Sequence, residues 1–193
     1  MCYITMKELS ILLLIMLSIF IYITYLRKTL FLEKVKSNFN GKEYYVRNLP
    51  DKQEAANLLS EISDNLKQLI SDLDDKDERN QRLKKKFKTE NITENIPGSM
   101  YVAYSVNKGD ELSLCIRDKK TNKFLDKNII MFVAIHEVAH IMTKETGHTK
   151  KFWENMKFLL EKAIEGGYYY PVDYSMTPMN YCGLEIDSTP LDM

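Results

Sequence analysis

Histidine is almost missing from this chain, with 3 among 193 residues. An excess of charge is missing too, because 27 Lys and Arg balance 27 Asp and Glu. A neutral chain has no overall field to gather nucleic acid, so global electrostatics give no reason to expect that partner. Cysteine is scarce and odd in number: Cys2, Cys115 and Cys182. None belongs to a C-x-x-C pair, and three wide-set thiols are not a disulfide framework. We expect them to be free, which fits a reducing compartment. The 7 glycines form no phosphate-cradling loop. No internal repeat is visible.

One long hydrophobic run is present. Leu9 to Leu26, LSILLLIMLSIFIYITYL, is 18 residues without a charge. As a helix it is about 27 Å long, enough for a bilayer core. Its apolar residues lie all round, leaving no face for water. No small-x-small cleavage site follows, so the run predicts a retained anchor rather than a removed signal peptide. Arg27, Lys28, Lys34 and Lys36 follow the run and only Lys7 precedes it. The positive-inside rule then places the rest of the chain on the cytosolic side. Asn91-Ile92-Thr93 is a glycosylation sequon that would report the opposite topology. The expected division is an anchor over 1–28, a juxtamembrane segment over 29–48 and a folded domain over 49–193.

Within that domain, Pro50-Asp51 opens an amphipathic helix. Ala55, Leu59, Ile62, Leu66, Leu69 and Leu73 fall on one face. The pattern is short for a coiled coil and suits packing on the domain's own core. The segment from Asp74 to Glu90 is highly charged, and its Lys84-Lys85-Lys86 run reads as a solvated helix end or loop. Tyr101 to Arg117 reads as a β-hairpin around Asn107-Lys108-Gly109-Asp110. A helix is expected from about 127 to 143 and another from about 149 to 164. The tail from Tyr168 reads as extended chain wrapped on the domain.

All three histidines fall within HEVAHIMTKETGHTKKFW, His136 to Trp153. His136 and His140 are one helical turn apart, so both imidazoles share a face and can bind one cation. Glu137 points about 100° round the helix from His136. In H-E-x-x-H sites that offset takes the glutamate off the metal and places it over the attacking water. A catalytic zinc takes three protein ligands and leaves one position open. His148 follows Gly147, a turn signal, and is the remaining histidine. Glu145, Glu154 and Asp173 are alternatives, with Glu154 the main rival because a glutamate on the following helix can also serve. Tyr168, Tyr169, Tyr170 and Tyr174 are candidates for a phenol donor to the oxyanion. Met176 suggests a Met-turn without the rest of that signature.

HEVAH followed by GHTKKFW resembles the WLM (Wss1-like) and SprT-like zinc peptidases, which pair HExxH with a downstream His-x-x-x-Phe-Trp. The resemblance covers about residues 45–170. It implies an α+β, zincin-like domain whose HExxH helix packs on a small sheet, with an edge strand that receives an extended polypeptide. It implies one Zn2+ per chain on His136, His140 and His148, Glu137 as general base, and Phe152 and Trp153 as packing aromatics. The gap from His140 to His148 is two residues longer than the common WLM spacing. The YPVDYS and YCG stretches also resemble proteins of large DNA viruses. The expected function is a membrane-anchored zinc metallopeptidase. The competing reading is a noncatalytic, zinc-stabilised membrane protein that binds partners through the 51–73 helix. A third extends the SprT-like resemblance to proteins crosslinked to DNA.

Overall fold

The computed structural model describes residues 6–88 and 91–192, so Cys2 lies outside the described residues. Helix α1 spans Met6–Phe31 and runs directly into strand β1, Leu32–Lys36. Over Met6–Ile23 it is long and apolar enough to cross a membrane, and none of that window is buried.

The sheet has five strands in the order β1, β2 (Glu43–Arg47), β3 (Ile92–Glu94), β5 (Glu111–Leu114), β4 (Ala103–Val106). β3 runs parallel to both β2 and β5, while β1 and β4 pair antiparallel at the two edges. The hairpin expected over 101–117 is therefore β4 and β5. The juxtamembrane expectation for 29–48 needs correcting. Residues 32–47 form β1 and β2, with Leu32 opposite Arg47 and Lys36 opposite Glu43. Val46 and Tyr44 enter the core at 0% and 1% exposure. Their short alternation, EYYVR, is a strand signal that the neighbouring membrane run overshadowed.

Helix α2, Lys52–Ser71, covers one face of the sheet. Its stripe of Leu59, Ile62, Leu66 and Leu69 is buried in the domain, leaving no apolar seam for a coiled coil. Helix α3, Glu78–Lys86, ends in the lysine run, and Lys84 pairs with Asp75 at 2.6 Å. Helix α4, Lys127–Met142, is buried almost all round, from Ile129 to Ile135 and again at Val138, Ala139, Ile141 and Met142. A helix apolar on every side belongs at the centre of a core. Helix α5, Lys150–Glu165, packs beside it with Phe152, Met156, Leu159 and Leu160 turned inward. The tail forms a second sheet from β6 (Met179–Tyr181) and β7 (Leu184–Ile186).

Two tertiary ties hold these parts. Arg117 is 1% exposed; it donates to Glu94 at 2.9 Å and to both Asp51 oxygens at 2.6 and 2.9 Å. Phe124 lies under its guanidinium at 4.0 Å. A buried arginine so fully matched joins the start of α2 to β3 and to the chain leaving β5. The second tie corrects the expectation of free thiols. Cys115 and Cys182 form a disulfide, with Cα atoms 6.4 Å apart and a sequence separation of 67. Three cysteines without spacing cues do not reveal such a pair, because the contact is made only when the tail folds back.

Candidate metal centre and active site

α4 starts cleanly because Asp126 accepts from the Asn128 N–H. That phase puts His136, Glu137 and His140 on the part of the helix that the core leaves open, all three half-buried. Thr143 then ends the helix, its hydroxyl donating to Ala139 O at 2.7 Å. Gly147 has φ +82°, a left-handed turn residue. The turn reverses the chain between α4 and His148. Thr149 caps α5, accepting from the Phe152 N–H at 3.3 Å.

His148 thereby faces α4. Its Nε2 is 3.0 Å from Nε2 of His136. The three histidines can each offer a ring nitrogen such that all lie within 4.8 Å of one another. Ligand nitrogens around a tetrahedral zinc, each about 2.0–2.1 Å from the ion, are about 3.3 Å apart. The separations in the cluster, 3.0 Å for His136–His148 and 4.8 Å at most, bracket that value. Among the described residues it contains histidine alone: Glu154 pairs with Lys151 at 3.2 Å, and Asp173 accepts from Ser175 Oγ at 2.6 Å. Glu145 lies along the open groove with His140 and Glu137, outside the cluster.

The rings are fixed from behind. Phe152 stacks on His140 at 4.2 Å and Trp153 on His148 at 5.5 Å between centroids. This gives the Phe-Trp pair a physical role, holding imidazoles by their faces. Below them, Asn155 donates to Thr143 Oγ1 at 2.9 Å and accepts from Arg79 at 3.0 Å. That chain, buried at Asn155 and Thr143, ties the end of α4 to α5 and α3, and no local motif marks it.

Burial, followed by the neighbouring imidazoles, pushes His136 down to about 3. Burial, then His148 and Lys108, push His140 down to about 4. Both rings are therefore neutral near pH 7, the form that binds metal. Burial pushes the Glu137 carboxyl up to about 7. A carboxyl poised there can take and return a proton.

The candidate oxyanion tyrosines do not line the cavity beside His136 and Glu137. Tyr168 donates to Asp72 at 3.0 Å, Tyr169 and Tyr174 meet each other behind Phe132, and Tyr170 is exposed. Met176 is also exposed. The phenol in that cavity's wall is Tyr181, fully buried, whose hydroxyl has no hydrogen-bond partner among the described residues.

An α+β domain with two histidines on its central helix and a third in the turn that follows defines a zincin-like class. A family model for the WLM domain matches residues 38–177. The chain belongs to the WLM family, a zincin-like, zinc-dependent metallopeptidase family. It is 36% identical over 160 residues to protein R325 of Acanthamoeba polyphaga mimivirus, covering 79% of this chain and 81% of that one. It is 40% identical over 82 residues to protein 042R of Invertebrate iridescent virus 3, covering 42% of this chain and 50% of that protein. These relatives place it among the WLM proteins of large DNA viruses. Among solved structures, Wss1 from Saccharomyces cerevisiae aligns with a TM-score of 0.51 at 25% identity. That alignment covers 62% of this chain and 85% of Wss1.

Proposed function

We propose that this protein is a membrane-anchored zinc endopeptidase. The observation that carries the reading is the triad of imidazoles whose ring nitrogens lie within 4.8 Å of one another, with Glu137 beside it on the open side of α4. His136, His140 and His148 would hold the ion. Zinc, when bound, supplies Lewis acidity toward a water and toward the scissile carbonyl. Glu137 takes the water's proton as the carbonyl is attacked and passes it to the leaving amine. Edge strand β4 lies along the same groove, with Ala103, Tyr104 and Ser105 beside Glu137 and His140. Its free edge can hold a polypeptide as an added strand, which keeps the peptide bond in line with the glutamate.

The anchor is α1. No linker separates Phe31 from Leu32, so the domain is held at the membrane face and acts on polypeptides near it. The flanking lysines and arginines favour the cytosolic side.

Glu137→Gln tests the enzymatic reading. It should lower peptide cleavage by about 10²–10⁴-fold, the range for losing a general base, while bound zinc stays unchanged. Full turnover in that variant would remove Glu137 from the mechanism. No turnover in a zinc-loaded parent would favour a noncatalytic zinc-stabilised protein.

A further inference from the structure

The WLM match ends at residue 177. Residues 179–188 follow it, forming the β6–β7 hairpin and the chain leaving it, and they bring a new wall to the active site. Between this wall and α4 lies a cavity of about 210 Å³. The family portion contributes Phe132, Val133 and Trp153; the tail contributes Tyr181, Leu184 and Ile186. His136 and Glu137 line the same cavity. The disulfide from Cys182 to Cys115 fixes the hairpin in place, one residue from Tyr181.

We propose that the tail hairpin turns an open groove into a specificity pocket for one large apolar side chain of the substrate, on a residue adjoining the scissile bond. The inference rests on the peptidase reading above. Size, lining and position support it. An apolar cavity of about 150 Å³ accepts a benzene ring, so this one takes a leucine, methionine or phenylalanine side chain. Its inner lining is apolar, while the exposed Glu185 and Asp187 line its tail side and disfavour acidic neighbours. The occupant is a substrate side chain because the cavity adjoins the residues that would cut the bond.

The test uses the zinc-loaded full chain in detergent and a peptide mixture from a denatured proteome, with both new ends read by mass spectrometry. Leucine, methionine or phenylalanine should exceed alanine and aspartate by at least about tenfold at one flanking position. Ile186→Trp, which fills the cavity, should erase that preference with zinc content unchanged. Cleavage without preference, or the same preference in a folded Ile186→Trp, overturns the pocket and leaves the peptidase. No cleavage at all overturns both. A second readout needs no turnover. Trp153 is the chain's 1 tryptophan and stands in the pocket wall, so its fluorescence reports entry. Zinc-loaded Glu137→Gln should bind N-acetyl-leucine hydroxamate at least about tenfold more tightly than the alanine analogue. Equal affinity refutes the pocket, and no binding of either refutes the metal site with it.

Discussion

Asp51 does one job that the sequence shows and one that it hides. It precedes α2, where the sequence suggests a helix start, and it also receives a two-pronged bond from Arg117. That guanidinium holds the Asp51 carboxyl below its usual range. A carboxylate with a depressed folded value contributes stability that is complete above the unfolded value near 3.8 and is lost as pH falls through the folded one. Asp51→Asn should therefore lower stability at neutral pH and make the difference from the parent shrink below about pH 4. Denaturant melts at a series of pH values measure this, and a difference independent of pH would deny the ion pair its role. The histidines were easier to read. His136 and His140 announce themselves by spacing, and His148 by following a glycine, because ligand geometry on a helix is local. Tyr181 and Asn155 were not legible, since each matters through a partner far away in sequence.

At the scale of elements, periodicity carried the helices. The four-three spacing of α2 and the apolar block of α4 are strong, local patterns. β1 and β2 were harder, because five-residue strands beside a membrane run look like a linker. The tail was hardest. Its hairpin has no period to detect, and its position depends on the Cys115–Cys182 bond and on burial of Tyr181. That bond closes a loop of 67 residues, for which chain entropy alone gives about 4 kcal/mol. Cys182→Ser should lower stability by up to that amount and increase hydrogen exchange across 179–188 more than across α4. Uniform exchange throughout would mean the tail does not depend on the staple.

For the whole molecule, the sequence carried the class of fold and the anchor as expectations, and family membership now supports the metallopeptidase domain. Two features bear on which side of the membrane the domain occupies. The flanking charges favour the cytosol, while disulfides persist mainly in oxidising compartments. Cys182 is fully buried and Cys115 half-buried; burial slows reduction of the bond, and we propose the orientation that the charges favour. In sealed microsomes, added protease should digest the domain and Asn91 should remain unmodified. Protection together with glycosylation at Asn91 would reverse the topology and give the disulfide its oxidising compartment.

The most direct measurement is zinc content by elemental analysis of the full chain in detergent, purified without chelator, beside His148→Ala and Glu154→Ala. One zinc per chain in the parent and in Glu154→Ala, with most of it lost from a folded His148→Ala, is the expected result. A folded parent without zinc, or equal zinc in His148→Ala, would contradict the three-histidine centre on which the proposed chemistry depends.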